Sequence, residues 1–331
     1  MAPVNQGPPR SSFIVPEELA GQAIDRVLRV LSSEGGAEGL SWNRARWLLE
    51  TGKVRLDGQP VTARERPVRA GQVLEIVMNA RAPRAELLSD RAFVYLDAQV
   101  VVVEKPAGVS SVPFDENERD ALSQLVEKQL ATKGARRRAP IGVVHRLDRE
   151  TSGLLVFART LEAKRELKNQ FRHHTVARRY WAVVEGSLSS RTISSRLVAD
   201  RGDGRRGSVD HPELGRLATT HVRALERLRG ATLVECRLET GRTHQIRIHL
   251  AEAGHPLLGE RVYGPKRRPL DRGAARVMLH AFELGFIHPV SGRPLLFGSA
   301  MPADMQRVLT ELGATQIPAV PAEAAPRGPR L

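Results

Sequence analysis

Two short segments concentrate the residues able to do nucleophilic or acid–base chemistry. The first, IGVVHRLDRETSGLLVFART over residues 141–160, runs from an apolar stretch at Val143 and Val144 into His145, Arg146, Leu147, Asp148, Arg149 and Glu150. Thr151, Ser152 and Gly153 then turn the chain into a second apolar run. Ionisable groups held between two buried strands are costly unless paired, so this pattern fits either a functional cleft built on Asp148 or a structural salt bridge. The second, LETGRTHQIRIHLAEAG over residues 238–254, offers Gly241 for a tight turn, Thr243 as a helix cap and Gly254 as a helix end. Arg247 and Leu250 lie close to one helical turn apart. The predicted helix thus aims a cation and the polar run Arg242, Thr243, His244 and Gln245 toward whatever lies at its start.

Other reactive side chains fit quieter roles. Cys236 is the only cysteine, lies in an apolar strand pattern and reads as a buried hydrophobe. His173 and His174, beside Arg172 late in a helix, read as phosphate-facing or surface residues. Lys105, followed by Pro-Ala-Gly, reads as structural or RNA-facing. The sequence carries no glycine-rich nucleotide fingerprint, no P-loop and no metal-ligand spacing, so neither a cofactor nor a metal is expected.

The elements that must position these segments follow from periodicity. Ile24, Val27, Leu28 and Leu31 fall at i, i+3, i+4 and i+7, one helical face. Ser41 can cap a second helix with Ala45, Leu48 and Leu49 inward and Gly52 at its end. Residues 54–56 read as a strand, Asp57-Gly58 as a hairpin turn and residues 73–77 as a later strand. Beyond residue 93, strand patterns at 94–96, 100–104, 154–158, 180–185, 219–224 and 232–238 are interrupted by two helices. One uses Leu122, Leu125, Val126 and Leu130; the other starts at Thr160 and uses Ala163, Leu167 and Phe171. Connections this variable predict an α+β domain with a mixed, mainly antiparallel sheet, behind a small N-terminal α/β domain. The expected organisation is a disordered start (1–12), a small domain (13–78), a linker (79–90), the large domain (91–313) and a disordered Pro/Ala-rich tail (314–331). Residues 201–216, rich in glycine and mixed charge, read as a flexible loop that either grips RNA or is merely solvated.

Composition narrows the partners. The chain has 331 residues, 41% of them hydrophobic, and a formal net charge of +14. Such an excess attracts a polyanion, although basic proteins also bind membranes and acidic partners. No apolar run is long enough to span a membrane, no signal peptide is evident, and a lone cysteine fits a reducing cytoplasm. A cytoplasmic monomer with no membrane or DNA partner is expected.

At the level of motifs, the chain resembles the RluA-type pseudouridine synthases from about Phe93 to Met305. The resemblance rests on Glu104-Lys105-Pro106-Ala107-Gly108, on His145-Arg146-Leu147-Asp148 with Thr151-Ser152-Gly153-Leu154-Leu155, and on Tyr180 in Arg178-Arg179-Tyr180. Gly241-Arg242-Thr243-His244-Gln245-Ile246-Arg247, Gly254-His255-Pro256, Leu279-His280-Ala281 and His288-Pro289 follow in order. Residues 13–78 resemble the small RNA-binding module named after ribosomal protein S-four, with Arg44, Arg46, Lys53 and Arg55 as its RNA-contacting cations. The resemblance implies isomerisation of a flipped-out uridine, with ribosomal RNA of the large subunit favoured and transfer RNA as the alternative. It implies Asp148 as the essential carboxylate, Arg247 as its ion-pair partner and Tyr180 as the aromatic that stacks on uracil and helps move the carbon-5 proton. His145, Arg146, Leu147, Arg242, Thr243, His244, Gln245 and Leu250 are the implied substrate contacts; for Leu147 and Leu250, ordinary core packing is an equal alternative. Two rivals of other classes are a non-catalytic ribosome-assembly factor and an RNA- or glycoside-cleaving enzyme, which needs a second acid or base such as Glu150 or His145.

Overall fold

The computed structural model describes residues 10–33, 40–50, 52–61, 64–78, 88–115, 118, 120–132, 140–264 and 273–320. The chain divides into two units, Met1–Glu86 and Leu87–Leu331.

In the first unit, β1 (Arg10–Ile14), α1 (Ile24–Ser33), α2 (Trp42–Glu50), β2 (Val54–Leu56), β3 (Gln59–Pro60) and β4 (Val73–Val77) follow in order. The sheet runs β1-β4-β2-β3, antiparallel throughout. Ile24, Val27, Leu28 and Leu31 of α1 and Ala45, Leu48 and Leu49 of α2 are buried on it, as their spacing predicts. Ser41 caps α2 by accepting the Arg44 N–H at 3.2 Å. Asp57 and Gly58 both take positive φ, 51° and 76°, which two-residue hairpins need to match strand twist. Residues 10–12, expected in a disordered start, instead form most of β1. Phe13 packs partly on the core beside them, and the strand completes the edge of β4. Most of the expected linker, residues 79–87, lies outside the described residues.

The second unit contains β5 (Phe93–Leu96), β6 (Val100–Lys105), α3 (Leu122–Thr132), β7 (Gly142–Val143), β8 (Ser152–Ala158), α4 (Leu161–Arg172), β9 (Ala177–Glu185), β10 (Arg191–Val198) and β11 (Gly207–Val209). β12 (Arg216–Leu228), β13 (Ala231–Leu238), α5 (Gln245–Glu252), β14 (Leu279–Ile287), β15 (Pro294–Gly298) and α6 (Ala303–Glu311) complete it. Its sheet runs β11-β10-β12-β13-β9-β14-β8-β6-β5, with β15 on β14 and β7 on β8. Among the described residues only β14 and β8 pair in parallel, so the mixed, mainly antiparallel α+β expectation holds. At that junction Gly153 sits opposite Ala281 with φ 116°, and a Cβ there would run into the Ala281 carbonyl. The glycine is what lets the chain leaving Asp148 enter the centre of the sheet.

Two expectations are corrected. Residues 201–216 are not simply a loop: Gly207–Val209 pairs with β10, because the turn before it is fastened by the Asp200 carboxylate accepting the N–H groups of Gly202 and Gly204. Residues 314–320, expected in a disordered tail, lie on the sheet. Thr315 bonds Glu226 through both its N–H and its hydroxyl, while Ala314 and Val320 pack on the cluster around Trp181 and Phe282. Residues 321–331 lie outside the described residues. Among the described residues no helix is long and apolar enough to cross a membrane.

Candidate active site

Asp148 lies in the loop between β7 and β8, and both of its neighbours are fixed by the segment that follows β6. The Ser111 hydroxyl donates to the Leu147 carbonyl (2.7 Å) and accepts the Leu147 N–H (3.0 Å). Arg149 donates to the Gly108 carbonyl (2.8 Å), and the Gly108 N–H returns a bond to the Arg149 carbonyl (2.9 Å). Lys105 closes the arrangement from below. Fully buried, its Nζ donates to the carbonyls of Pro106, Val109 and Arg149 at 2.8–2.9 Å. Burial pushes this ammonium down to about 7, against the pull of Asp148 and Glu150. Lys105 therefore has a structural role, tying the two segments through its three donors.

The Asp148 side chain is 22% exposed, and its oxygens make no hydrogen bond among the described residues. Arg247 Nη1 stands 3.7 Å from Oδ2 and His244 Nε2 stands 3.8 Å from Oδ1. Two groups thus face the carboxylate without hydrogen-bonding to it. Arg247 does face Asp148, as the resemblance implies, but its strong partner is Glu260. Nε and Nη2 donate to the two Glu260 oxygens at 2.7 and 2.8 Å, a bidentate pair that fixes the guanidinium plane. Glu260 is fully buried, which by itself pushes its carboxyl up. The Arg247 bonds and the N–H groups of Val262 and Tyr263 outweigh that and hold it below the usual carboxylate range.

The short helix α5 delivers Arg247 in a way its sequence disguises. All six residues from Gln245 to Leu250 are buried, and each polar one finds partners. The Gln245 oxygen accepts from Thr240 and from the Arg242 N–H, and its amide donates to Thr219 O and Thr220 Oγ1. His249 bonds Thr220 and Ser195. Thr243 is exposed and does not cap the helix; the cap position is His244 in the left-handed conformation at φ 59°, and the Gln245 side-chain oxygen Oε1 takes up the Arg242 N–H. That conformation helps bring the His244 ring to Asp148, with Nδ1 on the Tyr263 hydroxyl at 2.6 Å. Burial lowers the His244 imidazole, the Asp148 carboxylate raises it and Arg247 lowers it, with a net downward shift.

Tyr180 comes from β9, is buried, and has its phenol pushed up to about 12, by burial first, with Asp148 adding to the rise against Arg178. The phenol is neutral at physiological pH. Tyr263 lies with its ring 5.3 Å from the Arg247 guanidinium.

The remaining expected contacts divide. Arg146 is exposed, and Arg242 is half-buried with Nε on the Leu217 carbonyl. Leu147 and Leu250 are buried. His145, an expected substrate contact, is committed elsewhere: its ring stacks on Phe171 at 4.5 Å and Nε2 accepts the Val156 N–H at 3.1 Å. Burial, with Arg178 nearby, pushes that imidazole down to about 3. Gln245 is likewise fully bonded within the fold. In the first unit, Arg44 and Lys53 share the Trp47 ring, at 4.2 and 5.5 Å from its centroid, while Arg55 lies on β2. The Arg46 side chain lies outside the described residues. Sequence reasoning missed Glu260 and Tyr263. The one available signal was that a helical arginine flanked by Ile246 and Ile248 needs a buried carboxylate.

Residues 99–252 match the family described as RNA pseudouridylate synthase. The chain is 38% identical over 312 residues to the ribosomal large subunit pseudouridine synthase D of Xanthomonas campestris pv. campestris, covering 90% of this chain and 91% of that one. It is 35% identical over 319 residues to the protein of the same name from Zymomonas mobilis subsp. mobilis, covering 90% and 96%. Among solved structures, the fold is similar to that of human RNA pseudouridylate synthase domain containing 4, with a TM-score of 0.56 and 22% identity over 67% of this chain and 93% of that one.

Proposed function

Because this chain belongs to the RNA pseudouridine synthase family, a family of isomerases, we propose that it converts uridines of structured RNA, foremost in the large ribosomal subunit, to pseudouridine with Asp148 as the essential carboxylate. The observation that carries this reading is the Asp148 carboxylate itself. It is partly exposed, faces Arg247 and His244, and accepts no hydrogen bond among the described residues. Naming of the 38%-identical relative supports the choice of RNA.

In the reaction the bond from uracil N1 to the sugar breaks, the base turns within the pocket, and C5 bonds to the sugar. C5 loses a proton and N1 gains one, so no oxidation state changes. Asp148 supplies a lone pair, by adding to the sugar or base or by taking a sugar proton. Arg247 and His244, 3.7 and 3.8 Å from its two oxygens, orient it. Tyr180, as a neutral buried phenol, stacks on uracil and hands the C5 proton on. Arg146, exposed beside Asp148, fills the gap left by the flipped base. Arg44, Arg46, Lys53 and Arg55 hold flanking RNA backbone. The protein acts as a cytoplasmic monomer, with RNA rather than DNA as partner.

The test compares wild type with Asp148→Asn on unmodified large-subunit ribosomal RNA and on a transfer RNA pool, scoring pseudouridine by nucleoside analysis. Product from the wild type alone supports the reading; equal product from both removes Asp148 from the mechanism. Product from neither favours an assembly factor.

A further inference from the structure

The turn from β10 to β11 is fastened onto the helix that carries Arg247. Glu252, at the end of α5, accepts the Ser208 N–H at 2.9 Å and the Ser208 hydroxyl, and lies 3.6 Å from Arg201. The Ser208 hydroxyl oxygen also lies 2.8 Å from that of Ser195, which in turn meets His249 of α5 at 3.1 Å. Gly207 passes so close that a Cβ would meet both the Arg201 side chain and a Glu252 oxygen. On the other flank Arg205 donates to the carbonyl of Val262, the residue before Tyr263.

Between these two anchors stands Arg206. Two of its neighbouring arginines are committed, Arg201 to Asp203 and Glu252 and Arg205 to Val262. Arg206 is half-buried and has no hydrogen-bond or carboxylate partner among the described residues. Its charge is felt at His244 and Tyr263, where it opposes protonation of the imidazole and favours ionisation of the phenol. A half-buried cation whose charge reaches these neighbours of Asp148, with no partner among the described residues, is placed to take an anion from outside.

We propose that Arg206 binds a backbone phosphate of the RNA strand entering the Asp148 pocket, and that Glu252 is the positioning residue that holds the β10–β11 turn, and hence Arg206, in place. The inference rests on the RNA reading of the site and adds a substrate contact outside all the motifs that suggested it. Part of the +14 charge thereby acquires a definite task.

The test uses the full chain and an unmodified transcript of large-subunit ribosomal RNA. Binding is measured in an Asp148→Asn background, which prevents turnover, across a series of KCl concentrations. Arg206→Gln weakens binding roughly tenfold, the scale of one charge-assisted hydrogen bond. It also flattens the plot of log affinity against log salt by about 0.7–0.9, the release of one phosphate contact. Arg206→Lys restores the slope. Glu252→Gln reproduces part of the loss, and the double variant is no worse than Arg206→Gln alone. With Asp148 intact, Arg206→Gln raises KM and leaves kcat within about twofold, as uniform binding requires. Thermal unfolding of Arg206→Gln matches the wild type, since Arg206 has no partner to lose among the described residues. An unchanged affinity and salt slope in Arg206→Gln, with wild-type turnover on the same transcript, overturns the inference alone. Absence of wild-type turnover overturns the reading of the site, and the inference with it.

Discussion

Replacing Glu260 by Gln removes one charge and almost no volume, yet it strands Arg247. The guanidinium is 7% exposed, and its two short bonds both go to Glu260; the remaining carboxylate, Asp148, is 3.7 Å from Nη1. Breaking a buried pair by neutralising one partner costs about 3–5 kcal/mol, because the other charge stays desolvated. For a unit of this size each kcal/mol is about 2–4 °C, so the melting temperature should fall by roughly 6–20 °C. Replacing both partners by apolar residues, Arg247→Met with Glu260→Leu, should recover much of that stability while pseudouridine formation stays lost. The pH dependence has a definite sign. Glu260 is held below its ordinary value near 4.5 in the folded state, so its contribution is present above that pH and disappears as pH falls through the lower folded value. The gap between wild type and Glu260→Gln should therefore close in acid. Urea unfolding at pH 7, 5 and 4 and a thermal melt at pH 7, both followed by near-ultraviolet circular dichroism, read these quantities. A Glu260→Gln protein within about 1 kcal/mol of wild type at pH 7 would refute the idea that Arg247 is a buried charge dependent on this partner.

Three histidines with lowered imidazole values set the acid limit. His145 is pushed down to about 3, and His249 and His280 to about 4, in each case first by burial. Folded values below the ordinary 6.5 mean that their stability contribution is full above that pH and is lost toward pH 3–4. The slope near pH 5 should approach about 4 kcal/mol per pH unit, and His280→Gln should remove about a third of it in denaturant titrations at stepped pH. Tyr180→Phe should unfold like the wild type, since the Tyr180 hydroxyl has no hydrogen-bond partner among the described residues. It should lower kcat by roughly 10²–10⁴-fold at unchanged RNA affinity; equal kcat would leave stacking as its whole role. Gly153→Ala should cost well over about 1 kcal/mol, seen as a lowered urea midpoint, because φ 116° and the Ala281 carbonyl both exclude a side chain.

What the sequence makes legible depends on how far apart the partners are. The α1 face, the Asp57-Gly58 hairpin and the strands at 54–56 and 73–77 are local patterns, and they appear where spacing puts them. β1 is missed because its residues, RSSFI, alternate poorly and become a strand only against β4. α5 is read only in part for a related reason: its spacing aims Gln245 and Arg247 at whatever lies at the helix start, whereas β10, β12 and the turn at Glu260 supply internal partners for Gln245, Arg247 and His249.

The same distinction sorts the motifs themselves. The resemblance brings His145, Arg146 and Asp148 forward together, and Thr243, His244, Gln245 and Arg247 likewise, as residues that meet substrate. The fold separates them by whether a distant element satisfies their polar atoms. His145 is claimed by Val156 and Phe171, and Gln245 by Thr219, Thr220 and Thr240. Arg146 and the Asp148 carboxylate have no hydrogen-bond claimant among the described residues, and Arg206, outside every motif, shares that property. A buried polar atom that is already bonded gains nothing from a ligand, whereas an unbonded charge at a cleft gains a full hydrogen bond when one arrives. Residues that bind RNA here should therefore be those the fold leaves unsatisfied, and a motif position fully bonded inside the protein should tolerate only substitutions that keep its internal partners.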